Sequence, residues 1–367
     1  MKFSCSQSVL ANVINTVQKA VSTKSTHPIL KGILIEAHDK TVKMTGNDLN
    51  VGIECFFEAN ILEEGSIVVS SRLFGEIIRK LPDSEVQISV DDQNQVHIHC
   101  EKSKFNLLGQ PSAEFPELPE LGNTEVCDLD CDLFKNMIRQ TLFATSQDET
   151  RPILTGCLIE IEEGQMTMVA IDGYRLALRN AKVNPNASGK AVIPGKTLSE
   201  VGKIIAGLTE EDVIRLAFTD KHILFEVGAV RVISRLLEGE FIKYGQIIPK
   251  DNKTKVIVRT NAILDSIERA SLLARQSKNS SIKLSIKNEI LSITSNVEIG
   301  SDDEEVNIEL EGPELEIGFN PKYLVDALKV MDSDELHMEF STSVSPCIMR
   351  PAEHTNYTYL VLPVRMS

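Results

Sequence analysis

Two stretches of this chain are versions of one another. Residues 26–53 read THPILKGILIEAHDKTVKMTGNDLNVGI, and residues 150–178 read TRPILTGCLIEIEEGQMTMVAIDGYRLAL. Pro28 and Pro152 stand 124 positions apart, as do Gly32 and Gly156. Gly46 and Gly173, matched as the next landmarks, stand 127 apart, a drift of a few residues. The spacing is about a third of the 367 residues, which predicts a third copy. A repeated unit of this kind buries its apolar face against its neighbours, so the repeat constrains the whole fold.

Each copy carries the same order of signals. In the first, Val9, Leu10, Val13, Ile14, Val17 and Val21 keep a helical period over residues 6–21, with Ser6 or Ser8 as cap. Alternating strands run to about Val69, a second helix spans 71–81 before Pro82, and the Pro-rich loop 111–120 ends the unit. The second copy predicts a helix over 131–145 with Asp132 near its N-cap, and another over 195–208. Its strands end in FIKYGQIIPK (241–250), placed like FPELPEL in the first. The third copy is the least similar. It predicts helices over 260–275 and 320–331, with the acidic GSDDEEVN (300–307) as a turn between strands. Phe105, Val232 and Tyr359 fall on the last strand of each unit, 127 residues apart each time. The expected fold class is α+β, with three similar domains at 1–121, 122–247 and 248–367, each two helices packed on antiparallel sheets.

Composition narrows the function classes. Apolar content of 42% and charged content of 25% are ordinary for a soluble globular protein. No apolar run approaches the roughly 18 residues of a membrane span, and the N-terminus has no signal-peptide pattern. Seven scattered cysteines read as small core residues in a reducing compartment, so a cytoplasmic location is expected. His97 and His99 share a strand face as half of a metal site, but no third ligand lies at diagnostic spacing, and a solvated face is expected. Cys127 and Cys131 lack a second pair and read as core. The acidic run 302–305 lacks the spaced ligands of a calcium loop and reads as a solvated turn. Asp172-Gly173 reads as a hairpin turn. No nucleophile elbow, phosphate loop, zinc-protease or dinucleotide motif is present, so no catalytic residues, metal or cofactor are expected. An alternative from another class is a strand-rich hydrolase with an acidic cleft, which needs two carboxylates at catalytic separation. Another is a purely structural repeat protein.

The net charge of −15 argues at first against nucleic acid. Yet the six predicted helices carry a slight positive balance, so strands and loops hold the acid. If the helices line one face, that face is basic and everything else acidic, a field suited to a polyanion held at one surface.

HPIL with TGND, TRPIL with AIDGYRLA, and the C-terminal YLVLPVRMS resemble the bacterial sliding clamps, the beta subunits of DNA polymerase III. The resemblance covers the whole chain. It implies a head-to-tail homodimer closing into a ring around double-stranded DNA, a processivity factor without catalytic activity. It also implies a shared peptide pocket for the replicative DNA polymerase alpha subunit, the clamp loader and repair polymerases. Carried onto this chain, that pocket comprises Ile171, Gly173, Tyr174, Arg175, Leu176, Ile242, Ile247, Leu360, Leu362, Val364 and Arg365. Leu176, Ile247, Leu360 and Leu362 are expected as its walls, with Arg175 and Arg365 as polar groups at the rim. The family often has His at 174, Pro at 242 and Met at 362 and 364, where Tyr, Ile, Leu and Val stand here. Lys24, Arg79, Lys80, Arg139, Arg151, Lys196, Lys203 and Arg275 are the expected phosphate contacts, loose and non-specific because sliding holds no base edge. Phe105 and Leu107 are expected to meet Leu272 and Leu273 of a second copy, with Lys104 and Glu304 nearby.

Overall fold

A computed structural model describes residues 1–22, 27–119, 126–185, 187–207, 212–276 and 281–365. The same run of elements occurs three times. The first opens with β1 (Lys2–Ser6), α1 (Gln7–Val17), β2 (Gly32–His38), β3 (Thr41–Asn47) and β4 (Val51–Glu58). A short β5 (Asn60–Glu63) and β6 (Gly65–Ser70) lead into α2 (Ser71–Lys80). Then β7 (Glu85–Val90), β8 (Gln95–Cys100) and β9 (Ser103–Leu108) close it. The second run has β10 (Val126–Asp130), α3 (Cys131–Thr141), β11 (Gly156–Glu162), β12 (Gln165–Ile171) and β13 (Arg175–Lys182). It continues with β14 (Gly189–Pro194), α4 (Gly195–Ile205), β15 (Val213–Phe218), β16 (His222–Val227) and β17 (Val230–Arg235). The third begins with β18 (Thr254–Arg259), α5 (Thr260–Ala274), β19 (Ile282–Lys287), β20 (Ile290–Val297) and β21 (Gly300–Asn307). It ends with β22 (Glu309–Glu311), β23 (Leu315–Phe319), α6 (Pro321–Leu328), β24 (Glu335–Phe340), β25 (Cys347–Pro351) and β26 (Tyr357–Val361).

These elements form two compact units, one of Met1–Phe134 with Ser199–Leu236, the other of Lys135–Leu198 with Leu237–Ser367. The first unit holds an eight-stranded sheet ordered β10-β15-β16-β17-β4-β3-β2-β6 and a five-stranded sheet ordered β5-β1-β7-β8-β9. The second holds a nine-stranded sheet ordered β14-β11-β12-β13-β26-β25-β24-β18-β22 and a four-stranded sheet ordered β21-β20-β19-β23. In each large sheet a closing strand pairs with a strand of the preceding run. β17 lies against β4, with Val232 opposite Ile53, and β26 lies against β13, with Tyr359 opposite Ala177. Within their own runs Phe105, Val232 and Tyr359 face Ile98, Phe225 and Met349, so the three positions are equivalent.

The helices form where the apolar period puts them. α1 buries Leu10, Ile14 and Val17 over β3 and β4, and α2 buries Phe74 and Ile78 beside it. The Ser6 hydroxyl accepts the Val9 N–H at 3.4 Å and caps α1. At the start of α3 the Asp130 side chain accepts the Leu133 N–H at 2.7 Å. Asp132 lies near it in the first turn, as expected, where a carboxylate favours the helix dipole.

Two expectations are corrected. Residues 300–307 are not a turn but the edge strand β21, paired with β20 from Val297–Gly300 to Ile290–Asn307. The pleat separates its acids: Asp303 and Glu305 face solvent, while Glu304 reaches the Arg269 guanidinium on α5 at 2.5 Å. The drift between the first two copies also disappears. Asp48 Oδ1 accepts the N–H groups of Asn50 and Val51 at 3.0 and 2.8 Å, and Asp172 Oδ1 those of Tyr174 and Arg175 at 2.8 and 3.0 Å. The aspartate sets the turn. Leu49, at φ 72°, therefore holds the place of Gly173, at φ 95°, and Gly46 corresponds to Ala170.

Gly46 is fixed by close approach: a Cβ there would stand 2.3 Å from the Val17 carbonyl oxygen at the end of α1. Gly46→Ala must push backbone apart, and it is expected to cost about 1–3 kcal/mol. Urea unfolding monitored by circular dichroism measures this, and an unchanged midpoint would remove the contact between α1 and β3 as a constraint.

Candidate partner-binding site

The candidate pocket residues belong to the second unit and gather around the β12–β13 turn. Asp172 closes that turn and also holds the first residue of β13. Arg175 is buried, with Nε on Asp172 Oδ2 at 2.9 Å, Nη1 on Asp326 Oδ2 at 2.6 Å and Nη2 on the Phe143 carbonyl at 2.7 Å. Its guanidinium lies over the Tyr323 ring at 4.6 Å and the Phe143 ring at 5.3 Å. Burial works against its charge, but Tyr359, Asp326 and Asp172 outweigh it and hold its pKa above the usual arginine value. Arg175 is thus a strut beneath the surface. All of its donors named here are committed within the chain, which corrects its expected place at a rim.

Above this strut the Tyr174 ring, 61% exposed, stacks on Tyr323 of α6 with centroids 6.1 Å apart. The chain after β26 is held beside it. The Leu362 N–H donates to the Tyr174 carbonyl at 2.8 Å, and the Val364 N–H donates to the Gly318 carbonyl at 2.9 Å. Ile171, Leu176 and Leu360 are buried in one apolar cluster with Leu154, Leu178, Phe241 and Ile348. They form a floor and not the expected walls. The segment after Phe241 covers the cluster with Tyr244 and Ile248. Tyr244 is pinned by its hydroxyl, which donates to Glu160 at 2.6 Å; burial and that carboxylate both push its pKa up. Exposed apolar surface comes from Tyr174, Ile242, Ile247 and Leu362, and Arg365 is exposed beyond them. Sequence reasoning missed Tyr323, Asp326 and Phe143. They come from other elements, and only the fold brings them to Arg175.

The remaining candidates are placed as follows. Lys24 lies outside the described residues, as does the expected boundary at 121. Lys80, Arg151, Lys196 and Arg275 are exposed. Arg79 donates to Gln18 at 3.1 Å, Lys203 pairs with Glu200 at 2.7 Å, and Arg139 pairs with Asp332. Phe105 is exposed and Leu107 half-buried on β9, at the edge of the five-stranded sheet. Leu272 is 64% exposed on α5 and Leu273 half-buried beside it. His97 bonds Asn106 at 2.7 Å and Asp91 at 3.3 Å, and these partners raise its pKa. Cys127 and Cys131 are buried, and all seven cysteines are free, with burial lifting the Cys55 and Cys157 thiols to about 12. Among the described residues the one gathering of potential metal ligands is His38, Asp39 and Glu64. All three are exposed, and both ring nitrogens of His38 already face carboxylates, at 3.5 and 3.0 Å. Among the described residues no helix is long and apolar enough to cross a membrane.

Three α+β runs, with each large sheet joining strands of two successive runs, define the architecture of a DNA clamp. A solved sliding clamp from Bacillus subtilis superposes with a TM-score of 0.97 at 40% identity, and a putative DNA polymerase III beta subunit from Eubacterium rectale with 0.96 at 38%. Each comparison covers 100% of both chains. The N-terminal, central and C-terminal domain families of the DNA polymerase III beta subunit match residues 1–119, 128–243 and 245–365. The beta sliding clamp of Bacillus subtilis strain 168 is 40% identical over the full length of both proteins. The chain belongs to the DNA polymerase III beta subunit family, the bacterial sliding clamps. Its role is that of a DNA-encircling processivity factor without catalytic activity, and the alternative of an acidic-cleft hydrolase falls away.

Replacing Arg175 by Met leaves Asp172 without its side-chain partner and Asp326 with Lys322 alone, at 2.7 Å. Breaking a buried pair by removing one member typically costs about 3–5 kcal/mol. Arg175→Met is expected to lower stability by about 3 kcal/mol in denaturant unfolding, with Arg175→Lys in between. A loss below about 1 kcal/mol would show that the strut carries little.

Proposed function

We propose that two copies of this chain join head to tail, β9 of one against β21 of the other, and close around duplex DNA. One observation carries this reading. β17 pairs with β4 and β26 with β13, whereas β9 and β21, their counterparts in the first and third runs, are sheet edges. Continuing the same register sets Lys104 opposite Asp303 and Leu107 opposite Gly300 of the partner copy. Leu273 supports the match, because its methyl carbons lie 3.9 Å from where a Gly300 Cβ would stand. Phe105, Leu107, Leu272 and Leu273 then form the apolar centre of the joint, ringed by charge. Lys80, Arg151, Lys196 and Arg275, with Arg79, Arg139 and Lys203 behind their local partners, supply a diffuse phosphate contact. The surface of Tyr174, Ile242, Ile247 and Leu362 docks short peptide motifs of the replicative polymerase alpha subunit, the clamp loader and repair polymerases. Leucine and phenylalanine anchors suit such an apolar surface framed by main-chain groups.

The direct test is retention on DNA. The loaded protein is expected to stay on circular duplex and run off linear duplex, and equal loss from both would overturn encirclement. Changing Leu272 and Leu273 together to Ala is expected to give a folded monomer in sedimentation. An intact dimer would remove both residues from the joint.

The peptide surface has a separate test. Removing residues 363–367 deletes the anchor at Val364 while leaving β26 in place. Burying a large apolar anchor contributes about 1.5–3 kcal/mol, so affinity for a labelled Leu/Phe-anchored peptide is expected to fall at least about tenfold. Fluorescence anisotropy reads this, and equal affinities would sink the assignment.

A further inference from the structure

The first unit carries its own version of the face that, in the second unit, makes the apolar surface just described. The equivalence is positional. Phe115 packs on Leu30, Val68 and Leu34, as Phe241 packs among Leu154, Val192 and Leu158. Residues 115–119 (FPELP) then cross the eight-stranded sheet, with the Asn47 side-chain amide donating to the Pro116 carbonyl at 3.4 Å and Leu118 covering Gly52. Beside this segment lies a cleft of about 960 Å3, bounded by outward-facing residues of β2, β3, β4, β17 and β16.

The lining differs in kind from that of the second unit. Where β12 and β13 carry Val169, Leu176 and Leu178, the equivalent positions of β3 and β4 are Thr45, Gly52 and Glu54. Thr45 is 3% exposed, lines the cleft, and its hydroxyl has no hydrogen-bond partner among the described residues. A buried hydroxyl left unpaired is costly, which points to a ligand atom meeting it there. Charge gives the kind of ligand. Glu36, Glu54 and Glu117 border the cleft against Lys43 and Arg231. Lys43 is bonded to Glu36 at 2.7 Å, and the Arg231 Nε is taken at 2.8 Å by Glu226, which is outside the cleft, while its guanidinium lies over Phe56. Among the described residues Glu54, within 3.7 Å of Lys43, and Glu117 are the acceptors open to an incoming cation. Leu34, Phe56, Leu118 and Ile233 supply apolar walls around them.

We propose that this cleft is a second protein-docking site, taking an extended partner segment that carries a basic side chain beside an apolar one. The basic group sits between Glu54 and Glu117, the apolar neighbour packs between Leu34 and Ile233, and a main-chain group of the segment meets the Thr45 hydroxyl. The site is independent of the surface around Tyr174 and of the dimer joint.

The test uses the full-length protein with labelled Ile, Leu, Val and Thr methyl groups and a heptapeptide of alternating Arg and Leu. Saturable shifts are expected at Thr45, Leu34, Leu118 and Ile233. Glu54→Lys is expected to weaken binding at least tenfold, and Glu54→Gln less, with the methyl spectrum elsewhere unchanged. A heptapeptide of alternating Glu and Leu is expected to leave these methyls in place. Shifts confined to β21 or to the surface around Leu362, scattered non-saturating shifts, no shifts at all, or undiminished binding to Glu54→Lys would each overturn the proposal.

Discussion

The pairing of a closing strand with the preceding run is the interaction on which the rest depends. Without β17 against β4 and β26 against β13, each run would present two open edges, a row of unpaired amides and carbonyls of the kind that invites aggregation. With those pairings the domains become one sheet per boundary, and the main chain itself carries the connection. Main-chain bonds are indifferent to side-chain identity. The first and second runs can therefore diverge on their outer faces, one charged and one apolar, without loosening the frame.

The exposed apolar surface of the second unit follows from that frame. β26 brings Leu360 and Leu362 beside the β12–β13 turn, and the turn is stiffened from below by the Arg175 cluster. A surface held this way is preorganised, which on the proposed reading spares the cost of ordering a loop on binding. The charge on Arg175 belongs to folding. On the proposed reading, specificity falls to Tyr174, Ile242, Ile247 and Leu362, the exposed apolar groups of that surface.

Much of this was legible in the chain. The Pro-Ile-Leu stretches with Gly32 and Gly156 marked the repeat, and the helical period found the core-facing helices within a few residues. The equivalence of Phe105, Val232 and Tyr359 could be counted directly. Three things were hidden for physical reasons. Gly46 looked like the partner of Gly173 because glycine is conspicuous, whereas Leu49 accepts the left-handed conformation under the control of Asp48. The acidic run at 302–305 lacks apolar alternation, so its strand character comes from pairing with β20 and from Arg269. Arg175 read as a surface group because a sequence does not show the carboxylates that α6 and the turn bring to it.

The strand exchange also bears on how the chain avoids assembling wrongly. β13 and β26 are separated by nearly half the chain, and such distant pairings form late. Until then β4, β13 and β21 are three similar edges competing for three similar closing strands. Side chains opposite one another sort them. Arg231 lies opposite Glu54 in the register of β17 on β4, but on β13 the equivalent register would set it opposite Leu178. Thr358 lies opposite Leu178, but on β4 it would stand opposite Glu54. The charged row in the first unit therefore gives these two exchanged pairings different cross-strand neighbours from the native ones.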